Sequence, residues 1–254
     1  MRSALCVCAA IALCALASQP GAVHGHTLLD PEVAHAMLGE IAELRNSARS
    51  EPRQEVRAEA SFKMGSRVQA LVELLDLDIA AHGGASTLAQ LLVKRLEEYE
   101  VRIAYSEQRR RFSYDQGAFR QYLKLTPKGL HAAEAHYRIL AETFHATLAS
   151  GPGAIAPADR ASVIRAASEE ERFLKDYPKH PRTKEVRFFL GVDCYRLSRN
   201  IPGPEKAARY ARCAKQALEG VAEEYAGSIE ARASSALLDE ISSTRSRDNR
   251  RPIR

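Results

Sequence analysis

The chain has no tryptophan and only three methionines in 254 residues, and glycine and proline stay at 14 and 11. What fills the sequence instead is alanine, leucine, glutamate and arginine, a helix-former composition. No run of residues alternates polar and apolar between hairpin turns, so no sheet is expected. No Cys-x-x-Cys pair occurs, which excludes dithiol redox chemistry of that kind. The eight histidines (24, 26, 35, 82, 131, 136, 145 and 180) include no pair four apart, so the metalloprotease helix is absent. There is no nucleophile elbow and no glycine-rich phosphate loop; Ser86 and Ser162 read as helix starts. Paired carboxylates such as Glu223-Glu224 and Glu169-Glu170-Glu171 read as charged helix faces. No catalytic residue, cofactor site or metal site is expected.

Only one long apolar stretch exists. Ala4 to Ala17 is uncharged, follows the positive Arg2, and at 14 residues is short for a bilayer span. It reads as a secretory signal peptide over 1–25, cut after Gly25 or, alternatively, after Ala17. Three of the five cysteines, Cys6, Cys8 and Cys14, lie inside it. Cys14 follows Leu13 with more apolar residues behind it, which argues against lipid attachment. The expected destination is therefore the periplasm, with secretion or outer-membrane anchoring less favoured.

The formal charge of +5 is unevenly placed. Removing residues 1–25 leaves +4, and the segment from Ser242 carries Arg245, Arg247, Arg250, Arg251 and Arg254 against Asp248. The body is thus near neutral, with a basic disordered tail at 242–254 that suits a solubilising role or weak contact with anionic lipid or polymer. Export argues against nucleic acid as partner.

A repeated segment organises the rest. Tyr122-Leu123-Lys124, Pro127-Lys128 and Glu134 return 51 residues later as Phe173-Leu174-Lys175, Pro178-Lys179 and Glu185. Pro52, Glu59, Phe62, Met64 and Gly65 align with Pro127, Glu134, Tyr137, Ile139 and Leu140, and with Pro178, Glu185, Phe188, Leu190 and Gly191. Glu230-Ala231 after Tyr225-Ala226-Gly227-Ser228 reads as a degenerate further copy. In the three full copies, proline ends one helix and the glutamate lies early in the next, where the helix dipole favours it.

Helical periodicity places helices from Asp30-Pro31 to about Ser50, to about Ala81, from Ser86 to about Arg111, then near 115–125, 130–148, 158–177, 182–199, 204–225 and 229–243. The cluster at 150–157 is the strongest breaker and is read as a hinge. The expected domains are a helical half over 26–149 and a repeat half over 158–241. The basic stretch Lys94-Arg95, Arg102 and Arg109-Arg110-Arg111 reads as a solvated face of the third helix, offset by Glu97, Glu98, Glu100 and Glu107.

Phe173–Tyr195 and Tyr122–Leu140 resemble tetratricopeptide repeats, notably the long-helix periplasmic kind of outer-membrane assembly and cell-division coordinator proteins. Leu190-Gly191 with Tyr195 and Leu197, and Met64-Gly65, carry the likeness. The 51- and 75-residue spacings exceed the usual ~34. The expected fold is all-α: antiparallel helix pairs stacked as an α-solenoid of about nine helices. The expected function is a non-catalytic adaptor holding another envelope protein or peptide. An accessory domain of an envelope enzyme is the first alternative. An exported metal-binding protein built on His26 as a copper-chelating amino terminus is the second. The resemblance implies that the first helix of each pair lines a groove, with Lys63, Arg138, Tyr195 and Arg196 as candidate contacts for an acidic segment. Cys194 and Cys213 flank the turn at 200–204 symmetrically and read as a structural disulfide.

Overall fold

The structure is a computed structural model whose described residues are 29–248, without 108, 149–154 and 156–158, and without the side chains of 244–248. The expected signal segment, His26, most of the expected hinge and residues 249–254 lie outside them. Among the described residues there are nine helices and one two-stranded sheet. In chain order they are α1 (Pro31–Ser50), α2 (Gln54–His82), α3 (Thr87–Glu98), β1 (Ile103–Ser106), β2 (Arg111–Tyr114) and α4 (Gly117–Leu125). Then come α5 (Ala132–Thr147), α6 (Arg160–Asp176), α7 (Thr183–Asn200), α8 (Pro204–Glu224) and α9 (Ile229–Asp248). The fold is all-α, built by helix-on-helix packing with a recurring connection. No helix among the described residues is long and apolar enough to cross a membrane.

Local chemistry sets most helix ends. The Asp30 carboxylate accepts the Glu32 N–H at 2.7 Å, with Pro31 opening α1. Gly83 closes α2 in the left-handed conformation at φ 77°, its N–H bonded to the Ile79 carbonyl at 2.8 Å. The Ser86 hydroxyl caps α3 by accepting from Ala89 N–H at 3.1 Å. The buried stripe of α1 is Ala34, Met37, Leu38 and Ile41, while Val33 is half exposed.

The repeated segment becomes a repeated corner. Thr126 N–H bonds to Tyr122 carbonyl at 2.8 Å, Gly129 to Thr126 at 3.0 Å and Ala132 to Gly129 at 3.0 Å. Fifty-one residues on, Tyr177 bonds to Phe173 at 2.8 Å, His180 to Tyr177 at 3.1 Å and Thr183 to His180 at 3.0 Å. Tyr225 to Val221 at 3.2 Å and Ser228 to Tyr225 at 3.0 Å make a third copy. Two helices separate successive corners, so the period is a helix pair.

Contacts divide the described residues into two units, 29–142 and 143–248, and the division falls inside α5 after Glu142. In the first unit α2 packs on α1, α4 and β2, and α3 lies against α1. Ile41, Val68, Leu71, Leu75, Leu96 and Phe119 form its fully buried centre. Gly65 lets α4 come close, since a Cβ there would stand 3.0 Å from the Phe119 ring. In the second unit α7 is central, packed against α6, α8 and α9 and buried around most of its circumference. The α7–α8 hairpin is antiparallel, as contacts nested about its turn require. These are Cys194 to Cys213 with Cα atoms 6.0 Å apart, Gly191 against Leu218, and Arg187 to Glu224 at 2.6 Å. The expected disulfide is present.

The third helix is a correction. It ends at Glu98 instead of running to Arg111, and residues 103–114 form an antiparallel hairpin with Ile103 opposite Tyr114 and Ser106 opposite Arg111. The helix stops through a Schellman pair: Glu100 N–H bonds to Glu97 carbonyl at 2.9 Å and Val101 N–H to Leu96 carbonyl at 3.0 Å. Glu100 takes the left-handed conformation (φ 62°) that glycine usually fills. Its carboxylate is held by Arg45 at 3.4 Å and by Arg49. At the other end, α9 continues to Asp248, past the expected start of the tail at Ser242.

Candidate functional site

The four groove residues inferred from sequence divide between the two units. Lys63 is exposed on α2, 3.3 Å from Glu59, and Arg138 on α5 donates to Glu134 at 2.6 Å; both belong to the first unit. Tyr195 and Arg196 belong to the second unit and are buried, Arg196 completely. The sequence reading gave α7 a solvent-facing side, but the neighbours on α6, α8 and α9 leave it almost none. The Tyr195 hydroxyl donates to Glu240 at 2.8 Å and accepts from Arg199 at 3.0 Å.

Arg196 instead joins a buried ionic cluster. Its guanidinium donates to Asp193 at 3.0 Å, to the Thr147 hydroxyl at 3.2 Å and to the Thr147 carbonyl at 2.6 Å. Glu170, Asp193 and Arg196 are all fully buried. Glu170, read from sequence as part of a charged face, lies on the core stripe of α6 with Val163, Ala166, Ala167 and Phe173. Neither of its carboxyl oxygens has a hydrogen-bond partner among the described residues. Burial drives the Glu170 carboxyl far above its ordinary range; Asp193 and Glu171 raise it further, and Arg196 opposes them. Burial raises Asp193 too, against the pull of Arg196.

A neutral folded carboxyl and an ionised unfolded one make the folded state bind the extra proton, so stability falls as pH rises above about 4.3, the ordinary glutamate value. The fall ends only where folded Glu170 itself ionises. We expect Glu170→Gln to unfold at higher denaturant than the parent at pH 8, with a shallower pH slope, the remainder belonging to the other raised carboxyls, Asp193, Asp76 and Glu142. Urea titrations from pH 5 to 9 test this, and parallel slopes for the two chains would contradict it.

The hairpin carries the other concentration of polar chemistry. The Arg109-Arg110-Arg111 run is on its turn and second strand, not on a helix. Arg110, itself left-handed at φ 50°, reaches the Gly83 carbonyl at the end of α2. Arg111 stands between two carboxylates, 3.8 Å from Asp76 and 3.5 Å from Glu142. Asp76 accepts the Phe112 N–H at 2.6 Å. Burial lifts the Asp76 carboxyl to about 6, against the Phe112 N–H, Arg111 and Arg109; Glu73 adds to the rise. Burial likewise raises Glu142, opposed by Arg111 and Arg109. This pair of perturbed carboxylates was not legible in the sequence, because 66 residues separate Asp76 from Glu142 and only the hairpin brings Arg111 to both.

Of the two, Asp76 caps the outward edge of β2 through the Phe112 N–H, and Glu142 meets the Arg111 side chain. We expect Asp76→Ala to strand the Phe112 N–H and cost about 1–3 kcal/mol. Asp76→Asn keeps an acceptor and should lose far less. Equal losses for the two in urea unfolding at pH 7 would count against the capping role.

Two open clefts lie in the first unit. The larger, about 650 Å³, is bounded by Gln90, Val93, Lys94 and Glu97 of α3 and by Tyr105, Glu107 and Phe112 of the hairpin. The Tyr105 and Phe112 rings sit 5.1 Å apart at its floor. The smaller, about 290 Å³, runs beside Arg49, Glu100 and Tyr114. Among the described residues no group of three or more metal-ligating side chains comes together. No protein-family model, curated protein or solved structure matches the chain.

Proposed function

We propose that the chain is a non-catalytic adaptor of the bacterial cell envelope, a tetratricopeptide-like periplasmic protein that holds another envelope protein. One observation carries this reading: the cleft between α3 and the hairpin, with an aromatic floor and a charged rim. Its volume suits a few residues of a partner chain, and mixed aromatic and charged walls are the ordinary chemistry of peptide recognition. The Cys194–Cys213 bond supports an oxidising compartment. The helix-pair period supports a scaffold, since stacked helix pairs characteristically present binding surfaces.

The test is affinity capture of the tagged full-length chain from its own envelope extract, beside a Lys94→Glu, Glu97→Lys double variant. Both positions are exposed on the cleft wall. A partner that returns reproducibly with the parent and at least tenfold less with the variant is the expected result. A parent chain that brings no partner would overturn the adaptor reading.

A further inference from the structure

The two edges of the hairpin are unlike. Asp115 N–H bonds to the Arg102 carbonyl at 3.1 Å, and these residues stand opposite each other in the register. Hydrogen-bonded pairs alternate with non-bonded ones in an antiparallel ladder, so Ala104–Ser113 and Ser106–Arg111 are bonded pairs. Ile103, Tyr105, Phe112 and Tyr114 therefore turn their backbone groups outward.

On β2 three of these four outward groups are covered. Phe112 N–H goes to Asp76, Phe112 carbonyl accepts from Arg111 at 3.3 Å, and Tyr114 carbonyl accepts from Gln116 at 3.4 Å. On β1 the outward N–H and carbonyl of Ile103 and Tyr105 have no hydrogen-bond partner among the described residues. Proteins ordinarily protect such an edge, because it is a template for another strand.

The uncovered edge borders the large cleft, which Tyr105 lines. We infer that β1 accepts an extended segment of a partner protein as a third strand. The segment would run antiparallel to β1, with an apolar residue opposite Tyr105 and, two positions before it, a basic residue reaching toward Glu107 in the turn beyond β1. The inference deepens the adaptor reading and rests on it for the partner's existence.

The side-chain demand follows from the pleat. A residue paired with Tyr105 projects on the same face, toward Val93 and the Tyr105 and Phe112 rings. Glu107 follows β1 in the turn, and with Glu97 it rims that cleft; neither carboxylate makes an ion pair among the described residues. Lys94 on the same rim also lacks an ion pair and offsets one of them, leaving one uncompensated negative charge. A basic side chain is its complement.

The probe is the end-blocked heptapeptide Ser-Thr-Lys-Thr-Val-Thr-Ser, whose lysine and valine share a face. We expect it to bind the full-length chain and to slow amide hydrogen exchange at Ile103 and Tyr105 at least tenfold. N-methylation of its valine and lysine amides, which would face β1, should weaken binding at least tenfold. N-methylation of its threonine amides, which would face away, should change it less than threefold. Replacing the lysine by glutamate should weaken binding several-fold, and that difference should vanish in the Glu97→Gln, Glu107→Gln chain.

Absence of binding at about 1 mM peptide, equal effects of the two methylation patterns, or unchanged exchange at Ile103 and Tyr105 would each overturn strand addition. All of these measurements use the parent hairpin and so survive a variant that fails to fold. A captured envelope partner together with no peptide docking would sink strand addition and leave the adaptor reading standing. Peptide docking with no captured partner would do the reverse.

Discussion

Replacing Arg196 by methionine should cost about 3–5 kcal/mol of stability, the loss expected when one member of a buried ion pair is removed. The side chain is fully buried and supplies the hydrogen bonds to Asp193 and to the hydroxyl and carbonyl of Thr147. Methionine fills similar volume, so the loss would come from stranded polar groups and not from a cavity. Asp193 would then have to take up a proton to remain inside, as Glu170 already tends to do. Replacing Arg196, Asp193 and Glu170 together by methionine, leucine and methionine should recover most of the loss, because well-packed apolar residues often match a buried ionic group. Urea denaturation of the three chains at pH 7 decides it. A single-variant loss below about 1 kcal/mol would show that the cluster behaves as though solvated.

The second large effect concerns the disulfide. The bond closes a loop over 19 positions, from Cys194 on α7 to Cys213 on α8. Loop-closure entropy for that size corresponds to about 3 kcal/mol at 25 °C. Because Cys194 is buried in α7, the central helix of its unit, the loss should be felt throughout that unit and not only at the hairpin. The Cys194→Ala, Cys213→Ala chain is expected to unfold at a clearly lower urea concentration than the oxidised parent. The reduced parent should fall to nearly the same midpoint. A midpoint unmoved by reduction would mean that the α7–α8 hairpin is as ordered in the unfolded chain without the bond as with it. A thiol assay on the unreduced chain checks the starting state, with no reactive group expected.

Much of the helical framework could be read from residue spacing, because the signals were local. Asp30-Pro31 and Ser86 act through their own backbone neighbours, and the structure uses both as helix starts, as expected. Gly191 and Gly65 mark close helix approaches for the same reason: at Gly191 a Cβ would stand 2.7 Å from Leu218.

The hairpin escaped because its usual signals are missing. The left-handed residues that shape it are Glu100, Arg110 and Gln116 instead of glycine or asparagine. The charges from Lys94 to Arg111 also imitate a helix with i,i+4 pairs. The alternation of Val101, Ile103 and Tyr105, followed by Phe112 and Tyr114, was the available clue. The cleft escaped with it, since one of its walls is the hairpin.

Arg196 and Glu170 were misplaced for a different reason. Charge type suggests solvent, but position along the stripe decides burial. Glu170 sits three and four residues from Ala167 and Ala166, and three before Phe173, all of them core residues. Counting positions before weighing charge would have put it inside.

The recurring corner bears on how the chain assembles. The backbone–backbone hydrogen bonds that close one, from Tyr122 to Ala132 and from Phe173 to Thr183, each span three or four residues of sequence. Such a joint can close as soon as its own short stretch is available, with no need for a distant partner to arrive, and local closure is the fast kind. A newly made chain would therefore set its bends one after another from the amino-terminal side, each bend limiting where the next pair of helices can search. The Asp76–Arg111–Glu142 bridge, by contrast, must wait for 66 residues to be in place, which makes the hairpin the late element of a chain whose bends are early.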